Sequence, residues 1–446
     1  MQKDAVIGGR FELLTHAGKG GMASVYKARD LQTSGIVAVK VLTLDRPFDV
    51  ARFAREASVL ATVEHPNVVR YITHGQASGV HFLAQEWVDG ETLAVFSRNR
   101  GVTARDAVTI ALGVARALGA IHELGVIHRD VKPSNIIIEN GKPDGVKLVD
   151  FGIARAAADA GVLTRSGVML GTPSYMAPEQ AQGVLTIEPT ADVWALGCVL
   201  CEMLSGRITF AGKTPAAIRA KVLLGDPQPL AAACPEAPDE LVTLVGHMLE
   251  KATRRRPSDG AATVARLEAL PPIGDGPTRR VGVAEPVTLA MPVRPRAEGT
   301  RCYVFLAAAD ENAPPSPALA QVAADHAMDL HSFEGGGALM VSRESGKTGA
   351  IEAARAALEL RDQVFDGAVS VFGQAFTDTL SDAIDRGSAL LDRAMVGTLF
   401  GDIVGAGPVV HIDDVIADLI ENDMPVDKTD EGPVLRAGSH ETSSGG

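Results

Sequence analysis

The segment His128-Arg129-Asp130-Val131-Lys132-Pro133-Ser134-Asn135, separated by fourteen residues from Asp150-Phe151-Gly152, constrains this chain more than any other feature. The intervening IIIENGKPDGVKLV reads as two short apolar runs around a Gly/Pro turn, so both polar groups are carried on loops between short strands. Two carboxylates and an Asn so placed supply one base and two hard oxygen donors. Mg²⁺ is normally shared with bound phosphate and is suited by such sparse Asp/Asn ligation. Taken separately these short motifs carry little information; their order and spacing carry much more.

Upstream, Gly18-Lys19-Gly20-Gly21-Met22-Ala23-Ser24-Val25 lies between two strand-like runs, RFELLTHAG and ASVYKARD. Glycines there let backbone N–H groups approach a polyphosphate closely. The third Gly of a GxGxxG pattern is Ala23, which still permits that approach. The next apolar run ends Val37-Ala38-Val39-Lys40, placing an amine after the Gly-rich turn. Glu56 follows on a helix-like stretch over residues 49–63. Two readings of it stand: an exposed carboxylate paired with Arg52 one turn away, or a partner that aims Lys40.

Short β-branched runs fill the first forty residues, and apolar residues at helical spacing dominate from Thr103 onwards, so a small β-rich lobe precedes a larger helical one. At 446 residues with 46% hydrophobic and 22% charged side chains, the chain has the composition of two or three globular domains. The net charge of −13 is unevenly spread: residues 1–270 carry +1, 271–300 carry +1 and 301–446 carry −15. Such a break marks a domain boundary, and the overall acidity argues against nucleic-acid binding. No run reaches the ~18–20 apolar residues of a membrane span, no secretory leader is evident, and a cytoplasmic location is expected. Cys198 and Cys201 sit in an apolar helical run and read as buried thiols rather than a zinc site.

Residues 11–270 resemble the eukaryotic-type protein kinases, and bacterial serine/threonine kinases in particular. The resemblance rests on HRDVKPSN, on DFG, on Gly171-Thr172-Pro173-Ser174-Tyr175-Met176-Ala177-Pro178-Glu179, on Asp192-Val-Trp194-Ala-Leu-Gly197, and on Arg256-Pro257. It implies a bilobal α+β fold, ATP and Mg²⁺ (or Mn²⁺) as cofactors, and Ser/Thr residues of proteins as phosphate acceptors. The Gly18 to Val25 loop, with Lys19, Gly20, Gly21, Met22 and Ala23, would cover the phosphates. Lys40 would contact the α- and β-phosphates and Glu56 would hold Lys40. Asp130 would be the base, Lys132 would neutralise the γ-phosphate, and Asn135 and Asp150 would bind the metal. Val25, Ala38 and Ile137 would sandwich adenine, with a hinge over Glu86 to Val88 and Gln85 behind the pocket. Lys132 and Thr172 match the serine/threonine class. Arg129 would pair with a phosphate on Thr164 or Ser166, so autophosphorylation is expected. Glu179, Asp192 and Arg256 would be structural, with Glu179 and Arg256 a buried ion pair.

Residues 271–299 read as a Pro/Gly-rich linker and 1–10 as an N-terminal extension. Residues 300–425 resemble class III nucleotide cyclase-homology domains, implying a small ferredoxin-like α/β sandwich and regulation, with a homodimer through it or through the kinase domain. The cyclase metal motif is lacking around Asp310, its second aspartate falls on Gly336, and the Asn/Arg pair falls on Asp385 and Ala389, so the domain reads as catalytically degenerate. The Gly346-Lys347-Thr348 triplet lacks the first Gly of a P-loop and reads as a turn before a helix starting near Ile351. Residues 426–446 are expected to be a disordered polar tail.

Overall fold

The computed structural model describes residues 5–19, 23–42, 57, 61–77, 79–150, 173–184, 186–212, 214–227, 229–282, 300–308, 317–333, 337–361, 367–374, 380–399, 409–429 and 432–436. The chain forms two compact units. The first comprises Met1–Gln180, Val184–Phe210 and Pro229–Glu285; the second comprises Ala181–Gly183, Ala211–Gln228 and Pro286–Gly446.

The first unit opens with strands β1 (Val6–Ile7), β2 (Phe11–Lys19), β3 (Ala23–Asp30), β4 (Ile36–Leu42), β5 (Tyr71–Ala77) and β6 (Val80–Glu86), in one sheet of order β1-β2-β3-β4-β6-β5. Alternation divides its faces. Val37, Val39 and Val41 of β4 join Phe11, Leu13, Ala28, Phe82 and Ala84 in an apolar core on one face. The antiparallel register sets Val25 opposite Lys40, Ala38 opposite Gln85 and Lys40 opposite Leu83. Val25, Ala38, Lys40 and Gln85 therefore share the other face, which is how an apolar strand comes to present a lysine. Between β2 and β3 the register shifts twice, at Leu13/Thr15 and His16/Gly18, on the approach to the Gly-rich turn.

A second small sheet joins β7 (Gly90–Thr92), β8 (Ile136–Glu139) and β9 (Val146–Leu148) in that order. Among the described residues before the linker, the longer helices are α1 (Leu93–Asn99), α2 (Ala104–His122), α3 (Thr190–Ser205), α4 (Pro215–Leu224), α5 (Asp239–Met248) and α6 (Gly260–Glu268), of which α4 falls in the second unit. Helix α2 starts at a capping box in which Thr103 and Asp106 satisfy each other's backbone N–H groups. Helix α3 is apolar on all sides and buried from Thr190 to Leu204, as such composition requires. It ends at Gly206, whose φ of +72° is the left-handed conformation of a helix C-terminus. Cys198 and Cys201 lie within α3 as buried free thiols, and burial pushes the Cys201 thiol up to about 11.

The second unit contains β10 (Arg301–Ala308), α7 (Pro317–Asp325), β11 (Met328–Ser332), β12 (Ala338–Ser345), α8 (Gly346–Glu359), β13 (Gly367–Gln374), α9 (Leu380–Leu399), β14 (Val409–Ile412), α10 (Asp414–Ile420), β15 (Val426–Thr429) and β16 (Gly432–Arg436). Its sheet runs β11-β12-β10-β13-β14-β16-β15, antiparallel throughout except between β13 and β14. Both faces are covered. In β10, Cys302, Val304 and Leu306 face the Ala-rich helix α8, while Tyr303 and Phe305 pack with Phe372 and with Ala383, Ile384 and Leu391 of α9. Helix α4 belongs to this unit: Ala217 and Ala220 join the Tyr303/Phe305 cluster, buried Lys221 pairs with Asp385 at 2.9 Å, and the Thr214 and Ser388 hydroxyls are hydrogen-bonded.

Several expectations need correction. The tail expectation for 426–446 does not hold over 426–429 and 432–436, where β15 and β16 pair antiparallel on the sheet; residues 437–446 lie outside the described residues. Leu435 pairs with Val410 and is fully buried, a non-local contact that leaves little periodicity in so short a run. Segment 344–348 is not a turn before a later helix: β12 runs to Ser345 and α8 begins at Gly346, whose φ of +63° makes the sharp junction. The linker expectation fails at its start, because residues 275–282 are hydrogen-bonded to the first unit.

On α8, Glu352 and Glu359 bracket His326, with Nδ1 at 2.9 Å and Nε2 at 3.0 Å from their carboxylates. Burial pushes the imidazole down, but the two carboxylates outweigh it and leave its pKa above the usual 6.5. A raised histidine stabilises the folded state below pH 6.5, and that contribution is lost as pH rises through the folded pKa. The stability difference between the wild type and His326→Gln, measured by denaturant unfolding, is expected to shrink as pH climbs above 6.5. A difference independent of pH would contradict it. Among the described residues, no helix is long and apolar enough to cross a membrane.

Candidate active site

Strands β8 and β9 pin the two ends of the His128 to Asp150 segment. Ile136 pairs with Leu148, and Val149 N–H donates to the Asn135 carbonyl at 2.9 Å. Asp130, Asn135 and Asp150 are thereby brought together although Asp150 lies twenty residues beyond Asp130. Asn135 Nδ2 donates to the Asp130 backbone carbonyl at 2.8 Å and to its Oδ2 at 3.0 Å. Lys132 Nζ donates to the same Oδ2 at 2.8 Å. Two donors from the loop itself thus orient the Asp130 carboxylate.

The loop is held from below by Asp192, on the first turn of α3 and only 1% exposed. Its carboxylate accepts from the His128 N–H and the Arg129 N–H, both at 2.7 Å, and contacts His122 Nε2 at 2.9 Å. Because His122 Nδ1 accepts from the Gly260 N–H, its Nε2 carries the proton that Asp192 receives. Arg129 has φ +63° and Asp150 has φ +56°, left-handed conformations that cost a non-glycine residue about 1–2 kcal/mol. At Arg129, the charge-assisted bond to Asp192 and a bond from Gln180 Nε2 to its carbonyl offset that cost. His128 is fully buried, its Nδ1 accepts from the Asp130 N–H, and its Nε2 lies 3.1 Å from the Val149 carbonyl. Burial pushes its pKa down, which keeps it neutral as this geometry requires.

Across from this loop, Lys40 Nζ is 3.1 Å from Asp150 Oδ1. Glu56, the partner expected for Lys40, lies outside the described residues, as do Gly20, Gly21, Met22, Thr164, Ser166 and Thr172; of Lys19 only the backbone is described. Val25, Ala38 and Ile137 are half-buried, and Gln85 and Val88 are buried. Glu86 closes β6, and its carboxylate is taken by Lys147 at 2.7 Å and the Arg70 N–H at 3.0 Å. Glu179 and Arg256 meet through two bonds of 2.7 and 2.9 Å, and the guanidinium also donates to the carbonyls of Thr190, Glu250 and Lys251.

A pair that sequence reading missed lies beside this loop. Tyr175 Oη donates to Glu202 at 2.6 Å, and Glu202 is 5% exposed within α3. The only signal was a charged residue inside VWALGCVLCEML. Burial pushes Glu202 from 4.5 up to about 7, against the pull of the Tyr175 bond. The folded chain therefore holds a proton that the unfolded chain releases above pH 4.5, so stability from this group falls as pH rises from 4.5 to 7. Wild type is expected to lose stability relative to Glu202→Gln across that window, as read by thermal unfolding; parallel profiles would contradict it.

A β-rich lobe presenting a lysine toward a helical lobe that carries a carboxylate and further hard oxygen donors is the bilobal arrangement of the kinase fold. Residues 11–267 match the family model described as the protein kinase domain, and the chain belongs to the protein kinase family. It is 38% identical over 269 residues to the serine/threonine-protein kinase PknB of Mycolicibacterium smegmatis, covering 58% of this chain and 42% of that protein. It is 34% identical over 267 residues to the serine/threonine-protein kinase PrkC of Bacillus subtilis, covering 59% and 40%. The chain thus spans less than half the length of these curated relatives. Among solved structures, the kinase domain of Mycobacterium tuberculosis PknI aligns with TM-score 0.48 at 24% identity, covering 60% of this chain and 98% of that one.

Proposed function

We propose that the chain transfers the γ-phosphoryl group of ATP to Ser and Thr hydroxyls of proteins, in signal transduction. The observation that carries this reading is the joint placement of Asp130, Lys132 and Asn135 within hydrogen-bond distance, with Lys40 engaging Asp150 beside them. Asp130 accepts the proton of the attacking hydroxyl, and Lys132 offsets charge on the phosphoryl oxygens as they separate from ADP. Lys40 leaves Asp150 for the α- and β-phosphates when nucleotide binds. The Val25, Ala38 and Gln85 face of the sheet, closed by Ile137 and Val88, takes the adenine.

The donor set suits a hard divalent cation. Asn135 spends its Nδ2 on Asp130, leaving Oδ1 as its acceptor, and Asp150 adds a carboxylate. Mg²⁺ held there would neutralise phosphate charge. The relatives at 34–38% identity are serine/threonine kinases, which supports the acceptor class. Phosphoamino-acid analysis of a generic protein substrate after incubation with labelled ATP tests it: phosphoserine and phosphothreonine are expected, and phosphotyrosine alone would overturn it. Thr164 and Ser166 are the proposed autophosphorylation sites, with Arg129 as the phosphate partner.

For the second unit the reading is a degenerate cyclase-like regulatory domain of ferredoxin-like type. The β-α-β-β-α-β order of β10 to β13, with β10 between β12 and β13, supports it. Asp385 is engaged by Lys221, and Ala389 offers no charge where a cyclase needs an Arg. Asp310 and Gly336 lie outside the described residues.

A further inference from the structure

The family model ends at residue 267, yet the chain beyond it remains fixed to the first unit as far as residue 282. The Ala104 N–H donates to the Asp275 carbonyl at 3.1 Å. Val102 and Arg279 exchange both backbone bonds, at 2.7 and 2.9 Å, and the Val281 N–H reaches the Ser97 carbonyl at 3.3 Å. The Arg279 guanidinium is paired with Glu236. Gly101, at φ +77°, leaves the room this path needs: a Cβ there would stand 2.6 Å from Thr278 Cγ2 and 2.9 Å from the Arg279 carbonyl oxygen. Four backbone bonds, an ion pair and an obligatory glycine define a strap with one course rather than a loose connection.

That course ends beside the catalytic loop. Val281 and Gly282 line a cavity of about 400 Å³ together with Lys132, Pro133, Tyr175 and Glu202. Lys132 Nζ is itself 2.8 Å from Asp130 Oδ2, so the cavity lies within a side chain's reach of the proposed base. Its volume accommodates one large side chain, and the hydrogen-bonded pair of half-buried Tyr175 and buried Glu202 gives its lining a polar group.

We propose that the strap over residues 275–282 is a substrate-selectivity element: the cavity receives a side chain of the protein substrate that flanks the acceptor hydroxyl, and Val281 and Gly282 set how large that side chain can be. The proposal rests on the kinase reading above and adds to it a wall that lies outside the kinase family model. A protein segment that presents its hydroxyl to Asp130 with a neighbouring side chain in this cavity meets the strap directly, whereas ATP does not.

Gly282 allows a test, because a Cβ built there meets no atom of the described residues within 4 Å. Gly282→Phe adds bulk in that open direction at a residue that itself lines the cavity, and Gly282→Ala is the smaller step. Steady-state kinetics on the full-length chain, with a panel of peptides that differ only in residues flanking the acceptor, reads the effect. The Phe variant is expected to raise KM for peptides with large flanking residues by about tenfold, with KM for ATP and the thermal midpoint unchanged. The Ala variant, a smaller addition at the same position, is expected to raise KM for those peptides by only about twofold, so that the effect grades with the size of the added side chain. Phe-variant KM values equal to wild type across the panel, in an active enzyme, overturn the strap proposal alone. A wild-type chain with no transferase activity overturns the kinase reading and the strap with it.

Discussion

Asp130→Asn is expected to lower kcat for phosphoryl transfer by about 10²- to 10⁴-fold while KM for ATP changes little. The amide is nearly isosteric with the carboxylate, so the loop should keep its shape: Asp192 anchors His128 and Arg129 through bonds that do not involve residue 130's side chain. What is lost is chemical. An amide cannot take up the hydroxyl proton, and it gives Lys132 and Asn135 a neutral oxygen or a clashing N–H where both now donate to Oδ2. Residual activity reflects positioning and charge stabilisation, which Lys132 and Lys40 continue to supply. The separation of kcat from KM is diagnostic, since a misfolded variant would lose nucleotide binding as well. Single-turnover kinetics at saturating ATP checks this directly.

Arg256→Ala is expected to cost about 3–5 kcal/mol of folding stability. The Arg256 side chain is fully buried, Glu179 is 13% exposed, and the guanidinium carbon stands 5.0 Å from the centroid of the Trp194 ring. Removing the guanidinium leaves a largely buried carboxylate unpaired and strips donors from the carbonyls of Thr190, Glu250 and Lys251 together. Each orphaned acceptor carries its own desolvation cost. Arg256→Lys is expected to recover only part of the loss, because an ammonium cannot reproduce the planar fork that serves Glu179 and three carbonyls at once. Denaturant unfolding followed by the fluorescence of Trp194, within α3, gives the number. A loss below about 1 kcal/mol would mean that the pair stabilises the fold no more than a surface ion pair does.

How far the sequence foretold the molecule differs between its two units. In the first, local pattern and global fold agree. The alternation of Val37, Val39 and Val41 with Ala38 and Lys40 marks both faces of β4 within a single short run, and the apolar run of α3 announces a buried helix. The loop from His128 to Asn135 is legible for the same reason, since the polar groups that meet there, Asp130, Lys132 and Asn135, lie within one short run. What is not legible is what depends on tertiary contact. Nothing in the sequence says that Lys40 meets Asp150 across 110 positions, that Asp192 supports the loop from α3, or that Glu202 finds Tyr175. Composition misleads at 271–299, where Pro and Gly suggest a linker although the Val102–Arg279 exchange fixes its first part.

In the second unit the signals are weaker. Helix α7 and strand β11 leave little trace, because ALAQVAAD and MDLHS are short and mixed in polarity. The β15–β16 pair reads as a tail because one of its strands lies on the sheet edge with exposed, charged residues, as edges commonly do. Helix α4 is instructive in another way. Read alone it belongs to the kinase sequence, but Ala217, Ala220 and Lys221 pack with residues from Tyr303 onwards.

The central claim is that this chain moves phosphate from ATP to hydroxyls through Asp130. Intact-mass spectrometry of purified wild type and Asp130→Ala, each incubated with ATP and Mg²⁺ beside a protein substrate, tests it most directly. Phosphate is expected to accumulate on substrate, and on the enzyme itself, only with the wild type. Equal phosphate incorporation by the two proteins would contradict the account.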